Sequence, residues 1–130
     1  MTRTGALILI VDDDEDIREI LKVFLEADGH RVNVATDGRD AWKQLLTAEC
    51  PTLILLDWMM PYMDGEQFLR KLHASRFANI PVMVLSGNEA ALEQADVLKA
   101  DCCLKKPVEF DELLKAINEF VPPQSKRDAA

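Results

Sequence analysis

Leu53-Ile54-Leu55-Leu56-Asp57-Trp58-Met59-Met60-Pro61-Tyr62-Met63-Asp64-Gly65 is the stretch on which the fold turns. An unbroken apolar run ends abruptly in one acidic residue, and a turn marked by proline and glycine follows. A short apolar run bounded by turn signals reads as a strand buried on both faces, the kind found in parallel sheets. Asp57 then stands at the carboxyl end of a central strand, where open α/β sheets place their ligand sites. Burying a carboxylate there costs desolvation energy unless a cation meets it.

Outward from this stretch the same pattern repeats. Ala6-Leu7-Ile8-Leu9-Ile10-Val11 is a second buried-strand run and ends in Asp12-Asp13-Asp14. Ile17, Ile20, Leu21, Phe24 and Leu25 then fall on one helical face, with Gly29 as a fitting stop. Asp14 or Glu15 at the start suits the positive end of the helix dipole. Residues 31–36 alternate polar and apolar, which predicts an edge strand with one exposed face. Asp37-Gly38 turns the chain into a helix carrying Ala41, Trp42, Leu45 and Leu46. Beyond Gly65, Phe68, Leu69 and Leu72 mark a third helix. Pro81 to Ser86 is another apolar strand, and Ala90 to Leu98 a weakly amphipathic fourth helix. Cys102-Cys103-Leu104 is a short fifth strand ending in Lys105-Lys106-Pro107. Phe110 to Phe120 marks the last helix, stopped by Pro122-Pro123. Strand–helix five times over predicts an α/β doubly wound parallel sheet with right-handed crossovers.

The bulk properties narrow the function. With 130 residues, 48% of them hydrophobic and 29% charged, the chain fits one soluble domain. The expected division is an N-terminal lead over 1–5, the domain over 6–121 and a disordered tail over 122–130. The net charge of -8 argues against direct nucleic-acid binding and against anionic membranes. No apolar run approaches a bilayer-spanning length of roughly 20 residues, and no cleavable leader is visible, so a cytoplasmic protein is expected. Cys50, Cys102 and Cys103 form neither a disulfide framework nor a zinc spacing. They read as reduced structural thiols, with a vicinal Cys102–Cys103 redox switch as the sharper alternative.

The strand ends carry the chemistry. Strands one, three, four and five end in Asp12-Asp13, Asp57, Ser86 and Lys106. The flavodoxin-like strand order 2-1-3-4-5 makes those four contiguous and gathers their polar termini at one edge of the sheet. Taken alone, each has an ordinary explanation. Asp14 reads as a helix N-cap, Asp57 divides between cap and site, Ser86 reads as a turn residue, and Lys106 as a surface lysine. Their joint occurrence on four strands reverses that judgement. Clustered carboxylates repel one another unless a cation intervenes, and oxygen donors on short loops suit Mg²⁺ or Mn²⁺. A metal, a carboxylate nucleophile, a hydroxyl and an ammonium together fit phosphoryl transfer.

These residues resemble the receiver domain of two-component response regulators, the phosphoacceptor module related to the bacterial chemotaxis regulator. The matching motifs are Leu9-Ile10-Val11-Asp12-Asp13, Leu55-Leu56-Asp57-Trp58-Met59-Met60-Pro61, Met63-Asp64-Gly65, Val84-Leu85-Ser86-Gly87 and Leu104-Lys105-Lys106-Pro107. The resemblance covers residues 6 to about 121. It implies that Asp57 accepts a phosphoryl group from the phosphohistidine of a sensor histidine kinase or histidine phosphotransfer protein. It implies Mg²⁺ bound by Asp13, Asp57 and the Met59 carbonyl, with Asp12 acting through water. Ser86 and Lys106 would stabilise the phosphoryl oxygens, and Met59 and Asn88 would modulate its lifetime. The lysine directly before the proline is Lys106, and the Lys106–Pro107 bond is a candidate cis peptide. The expected function is a stand-alone phosphoacceptor switch acting on an output protein. It is no conventional enzyme, though it catalyses its own phosphorylation and dephosphorylation.

Two positions depart from the family pattern. Cys103 stands where an aromatic switch residue is usual, and Lys99 where glycine is common. The segment from Ser86 to Lys106 is shorter than usual, so a short or reshaped fourth helix is expected. These departures motivate an alternative, a receiver-like interaction module that works without phosphorylation. An aspartyl phosphatase is less favoured, because the second acid it needs two residues after the nucleophile is Met59 here. A nucleotide-binding reading is weaker still, since Asp12-Asp13 occupies the place of a phosphate-binding loop.

Overall fold

A computed structural model describes residues 6–121. The expected N-terminal lead, the tail and the Pro122-Pro123 stop lie outside the described residues. Five strands, β1 (Leu7–Val11), β2 (Arg31–Ala35), β3 (Leu53–Asp57), β4 (Val82–Ser86) and β5 (Cys102–Lys105), alternate with five helices. These are α1 (Glu15–Ala27), α2 (Gly38–Thr47), α3 (Gly65–His73), α4 (Glu89–Val97) and α5 (Phe110–Ile117). All strand pairs are parallel, in the order β2-β1-β3-β4-β5. This is the flavodoxin-like order expected from the strand ends.

Side-chain alternation along the central strands divides the core in two. Leu9, Val11, Ile54, Leu56, Val82 and Val84 face Ala41 and Leu45 of α2, Phe68, Leu69 and Leu72 of α3, and Ala91 and Ala95 of α4. Ile8, Ile10, Leu53, Leu55, Met83 and Leu85 face Leu21 and Leu25 of α1 and Leu113 and Ile117 of α5. Both faces are covered, which is why these strands read as continuous apolar runs rather than alternating ones. β2 lies at an edge, and Arg31, Asn33 and Val34 are only half-buried there.

Four helices begin on a capping side chain that satisfies their free N–H groups. Asp14 accepts from Asp16 and Ile17, Asp37 from Asp40, Asp64 from Gln67, and Asn88 from Ala91. The Asp14 cap is as expected. Gly29 ends α1 at φ 98, and Lys99 stands at φ 70 two residues past α4. The position where glycine is usual is therefore a left-handed turn, which a lysine occupies at a steric cost.

Two boundaries differ from expectation. α5 stops at Ile117 rather than running to Phe120, because the Glu119 and Phe120 amides bond three residues back, to the Ala116 and Ile117 carbonyls, instead of four. α4 has nine residues against ten in α2, so its peculiarity is composition rather than length. It buries only Ala91 and Ala95, whereas α3 buries Phe68, Leu69 and Leu72. Among the described residues, no helix is long and apolar enough to cross a membrane.

Candidate functional site

The carboxyl ends of β1, β3, β4 and β5 bring the polar termini together. Asp12, just past β1, is only 3% exposed and fully engaged. Its amide donates to the Ala35 carbonyl at 3.2 Å, and its own carbonyl accepts from Arg18 Nη1 at 2.7 Å. Its Oδ1 accepts from the Asp14 amide at 2.9 Å and its Oδ2 from Lys106 Nζ at 3.3 Å. Asp13, pinned between these anchored neighbours, is exposed. Asp57 closes β3 with its side chain 12% exposed. Its Oδ1 accepts from the Met59 amide at 3.5 Å and lies 3.9 Å from Lys106 Nζ. One carboxylate oxygen each from Asp12, Asp13 and Asp57 lies within 4.8 Å of the other two.

Asp57 pays electrostatically for this placement. Burial, reinforced by the Asp12 and Asp13 charges, pushes its carboxyl up to about 6, although Lys106 and the Met59 N–H pull the other way. One ammonium against three carboxylates leaves the pocket acidic. Its donors are all carboxylate oxygens, with no imidazole or thiolate in the cluster. That donor set fits a hard divalent cation of the Mg²⁺ or Mn²⁺ kind. The residues present therefore fit the metal expected from the sequence, and Asp12, Asp13 and Asp57 are those able to hold it.

Ser86 closes β4 at 3% exposure, and its Oγ accepts the Asn88 amide at 3.1 Å. The hydroxyl proton stays available for a third party. The Lys106 amide donates to the Ser86 carbonyl at 2.9 Å, tying the end of β5 to the end of β4. The Lys106–Pro107 bond is cis, as anticipated. Lys105 instead pairs with Glu89 at 2.8 Å, while Lys106 faces Asp12 and Asp57. Met59 has a 63% exposed side chain, and the Asn88 side chain caps α4.

Cys103 is half-buried against the α2–α4 side of the core, while Cys102 packs against the α1–α5 side. Burial pushes both thiols up, away from the reactive thiolate. Thiols on opposite faces of β5 serve packing, which favours the structural reading over a vicinal redox pair.

The model of the family described as Response regulator receiver domain matches residues 8–118. The chain belongs to this family. It is 34% identical over 125 residues to Response regulator MprA of Mycolicibacterium vanbaalenii, covering 95% of this chain and 53% of that one. It is 34% identical over 121 residues to Response regulator Rre1 of Synechocystis, covering 90% and 52%. The receiver chain thus spans about half the length of these curated relatives. Among solved structures, the receiver domain of the Francisella response regulator 1452 superposes with a TM-score of 0.81 at 32% identity, covering 89% of this chain and 96% of the other. The Vibrio cholerae chemotaxis protein CheY4 gives 0.80 at 28% identity, covering 90% and 99%.

Two residues of this receiver's site neighbourhood escaped the sequence reading. Arg18 grips the Asp12 carbonyl from α1, and Gln94 of α4 accepts from the Trp58 indole at 3.0 Å. Both are long polar side chains reaching across elements, and neither disturbs the apolar periodicity that made its helix visible.

Proposed function

We propose that this receiver domain is a phosphoacceptor switch in which Asp57 takes a phosphoryl group from a phosphohistidine. The donor is a sensor histidine kinase or a histidine phosphotransfer protein. The observation that carries the reading is the meeting of Asp57 with Lys106 at 3.9 Å inside the Asp12–Asp13–Asp57 cluster. An Asp57 oxygen attacks phosphorus, the bond from phosphorus to the imidazole nitrogen breaks, and that nitrogen leaves with the electron pair. Lys106 turns from Asp12 and Asp57 toward a phosphoryl oxygen, and the Ser86 hydroxyl donates to another. A Mg²⁺ ion held by Asp13, Asp57 and the Met59 carbonyl, with Asp12 through water, would supply the remaining neutralisation of phosphoryl charge. Attack by water on phosphorus later returns the carboxylate and releases inorganic phosphate. Met59 and Asn88, close in sequence to Asp57 and Ser86, govern how readily that water enters.

An apolar cavity of about 390 Å³ adjoins Lys106, lined by Ile17, Ile20 and Leu21 of α1 and by Pro107, Val108 and Phe110. Its position beside the acceptor suits the docking of the donor protein. The phosphorylated state then alters binding of an output protein through a two-state surface. Incubation with Mg²⁺ and acetyl phosphate should add one phosphoryl group to the wild type and none to Asp57→Asn. An unmodified wild type, under conditions that label another receiver, would count against the reading.

A second reading, constitutive partner binding without phosphate, is favoured only by Cys103, whose small half-buried thiol replaces an aromatic ring. Partner binding left intact by Asp57→Asn would favour it.

A further inference from the structure

Trp58 directly follows Asp57 and is only 3% exposed. It lies so close over Gly65 that a Cβ there would come within 2.7 Å of the Trp58 Cα and ring. Its Nε1–H donates to Gln94 Oε1 on α4 at 3.0 Å, and Gln94 Nε2 donates to Glu66 Oε1 on α3 at 2.8 Å. The second Glu66 oxygen accepts from Arg70 Nε at 3.1 Å. The amide of Gln94 is oriented by its neighbours, because the reverse orientation would set N–H against N–H and oxygen against carboxylate. A continuous chain of hydrogen bonds thus joins the residue after Asp57 to both α4 and α3.

That chain matters because α4 is otherwise thinly held. The two buried alanine methyls and the partly buried Leu92 cover little apolar area, and Val97 is 76% exposed. The Lys105–Glu89 pair is solvent-exposed and contributes little. The contact between the Met59 amide and Asp57 Oδ1 spans Trp58 in sequence, so any change at that oxygen is felt by the backbone carrying the indole.

We propose that Gln94 is a coupling residue that transmits the state of Asp57 to α4 and α3 through the Trp58 indole. The inference rests on Asp57 being the phosphoacceptor. An added phosphoryl group draws Lys106 and Ser86 and re-forms the Asp57–Met59 contact, Trp58 shifts with it, and Gln94 moves α4 against α3. The small thiol of Cys103 packs against the same core cluster as Trp58.

The test is amide hydrogen exchange on the whole chain with Mg²⁺, with and without acetyl phosphate, in samples matched for phosphoryl content by intact mass. In the wild type, exchange across residues 89–97 should change about five-fold or more on phosphorylation, and the Trp58 indole N–H resonance should move. Gln94→Leu keeps the side-chain volume and lacks the acceptor, so the exchange response should fall below about two-fold while Asp57 still carries phosphate. Glu66→Met, which cuts only the α3 arm, should abolish the response of α3 and keep that of α4. An unchanged α4 response in phosphorylated Gln94→Leu, or a silent α4 in phosphorylated wild type, overturns the coupling role alone. A wild type that takes no phosphoryl group overturns both this inference and the reading of Asp57.

Discussion

The Lys106 ammonium stands 3.3 Å from Asp12 and 3.9 Å from Asp57, so one cation is shared between two carboxylates from different strands. It holds the acidic pocket together before any phosphoryl group arrives, and it is already placed to follow one onto Asp57. Lys106→Met should therefore weaken two things. Asp57 loses the ammonium beside it and its carboxyl rises further, and labelling by acetyl phosphate should slow by about 100-fold, the usual loss for one charge-stabilising donor. Time-resolved intact mass at saturating Mg²⁺ measures it.

Asp57 titrates near 6, above the ordinary carboxylate value, so the folded state binds its proton more tightly than the unfolded chain does. The sign follows directly. In metal-free protein the Asp57 contribution to stability is fully present below about pH 4, is lost as pH rises toward 6 and is level above that. Asp57→Asn removes the burden and should be more stable than wild type at pH 7 by about 1–2 kcal/mol. Mg²⁺ should stabilise the wild type and not the variant. Urea denaturation across pH 4–8, with chelator or with Mg²⁺, reads both effects.

At Gly65 an added Cβ would meet the Trp58 backbone as well as its ring, so the neighbour cannot yield by rotating a side chain. Gly65→Ala should cost about 1–3 kcal/mol in urea denaturation and shift the Trp58 emission.

Lys99 occupies a left-handed conformation at φ 70. Lys99→Gly relieves that strain and gives back part of it as unfolded-chain entropy, so the net gain should be about 0.5–1 kcal/mol. The same urea experiment checks it.

Much of the fold was legible because both faces of the central strands are buried. Leu53–Leu56, Leu7–Val11 and Val82–Leu85 are continuous apolar runs for that reason, and the polar residue ending each run marks the sheet edge. Asp14 announced the start of α1 by its chemistry, whereas the Asp64 and Asn88 caps are visible only in the structure. What stayed hidden depends on three-dimensional reach. Nothing in the sequence pattern distinguishes Arg18 or Gln94 from any solvated helix residue, yet each spans to a backbone or ring near Asp57. The end of α5 was misjudged because Phe120 keeps the apolar spacing while its amide leaves the helical ladder. Lys99 could be flagged as unusual, but only the backbone shows that it takes the turn itself.

The central claim concerns one carboxylate among three neighbours, so the most direct measurement locates the phosphoryl group. After reaction with acetyl phosphate and Mg²⁺, borohydride reduction converts an aspartyl phosphate to homoserine, which peptide mass spectrometry places in the sequence. The account predicts homoserine at position 57 and at neither 12 nor 13; homoserine at one of those positions, or at none, would contradict it.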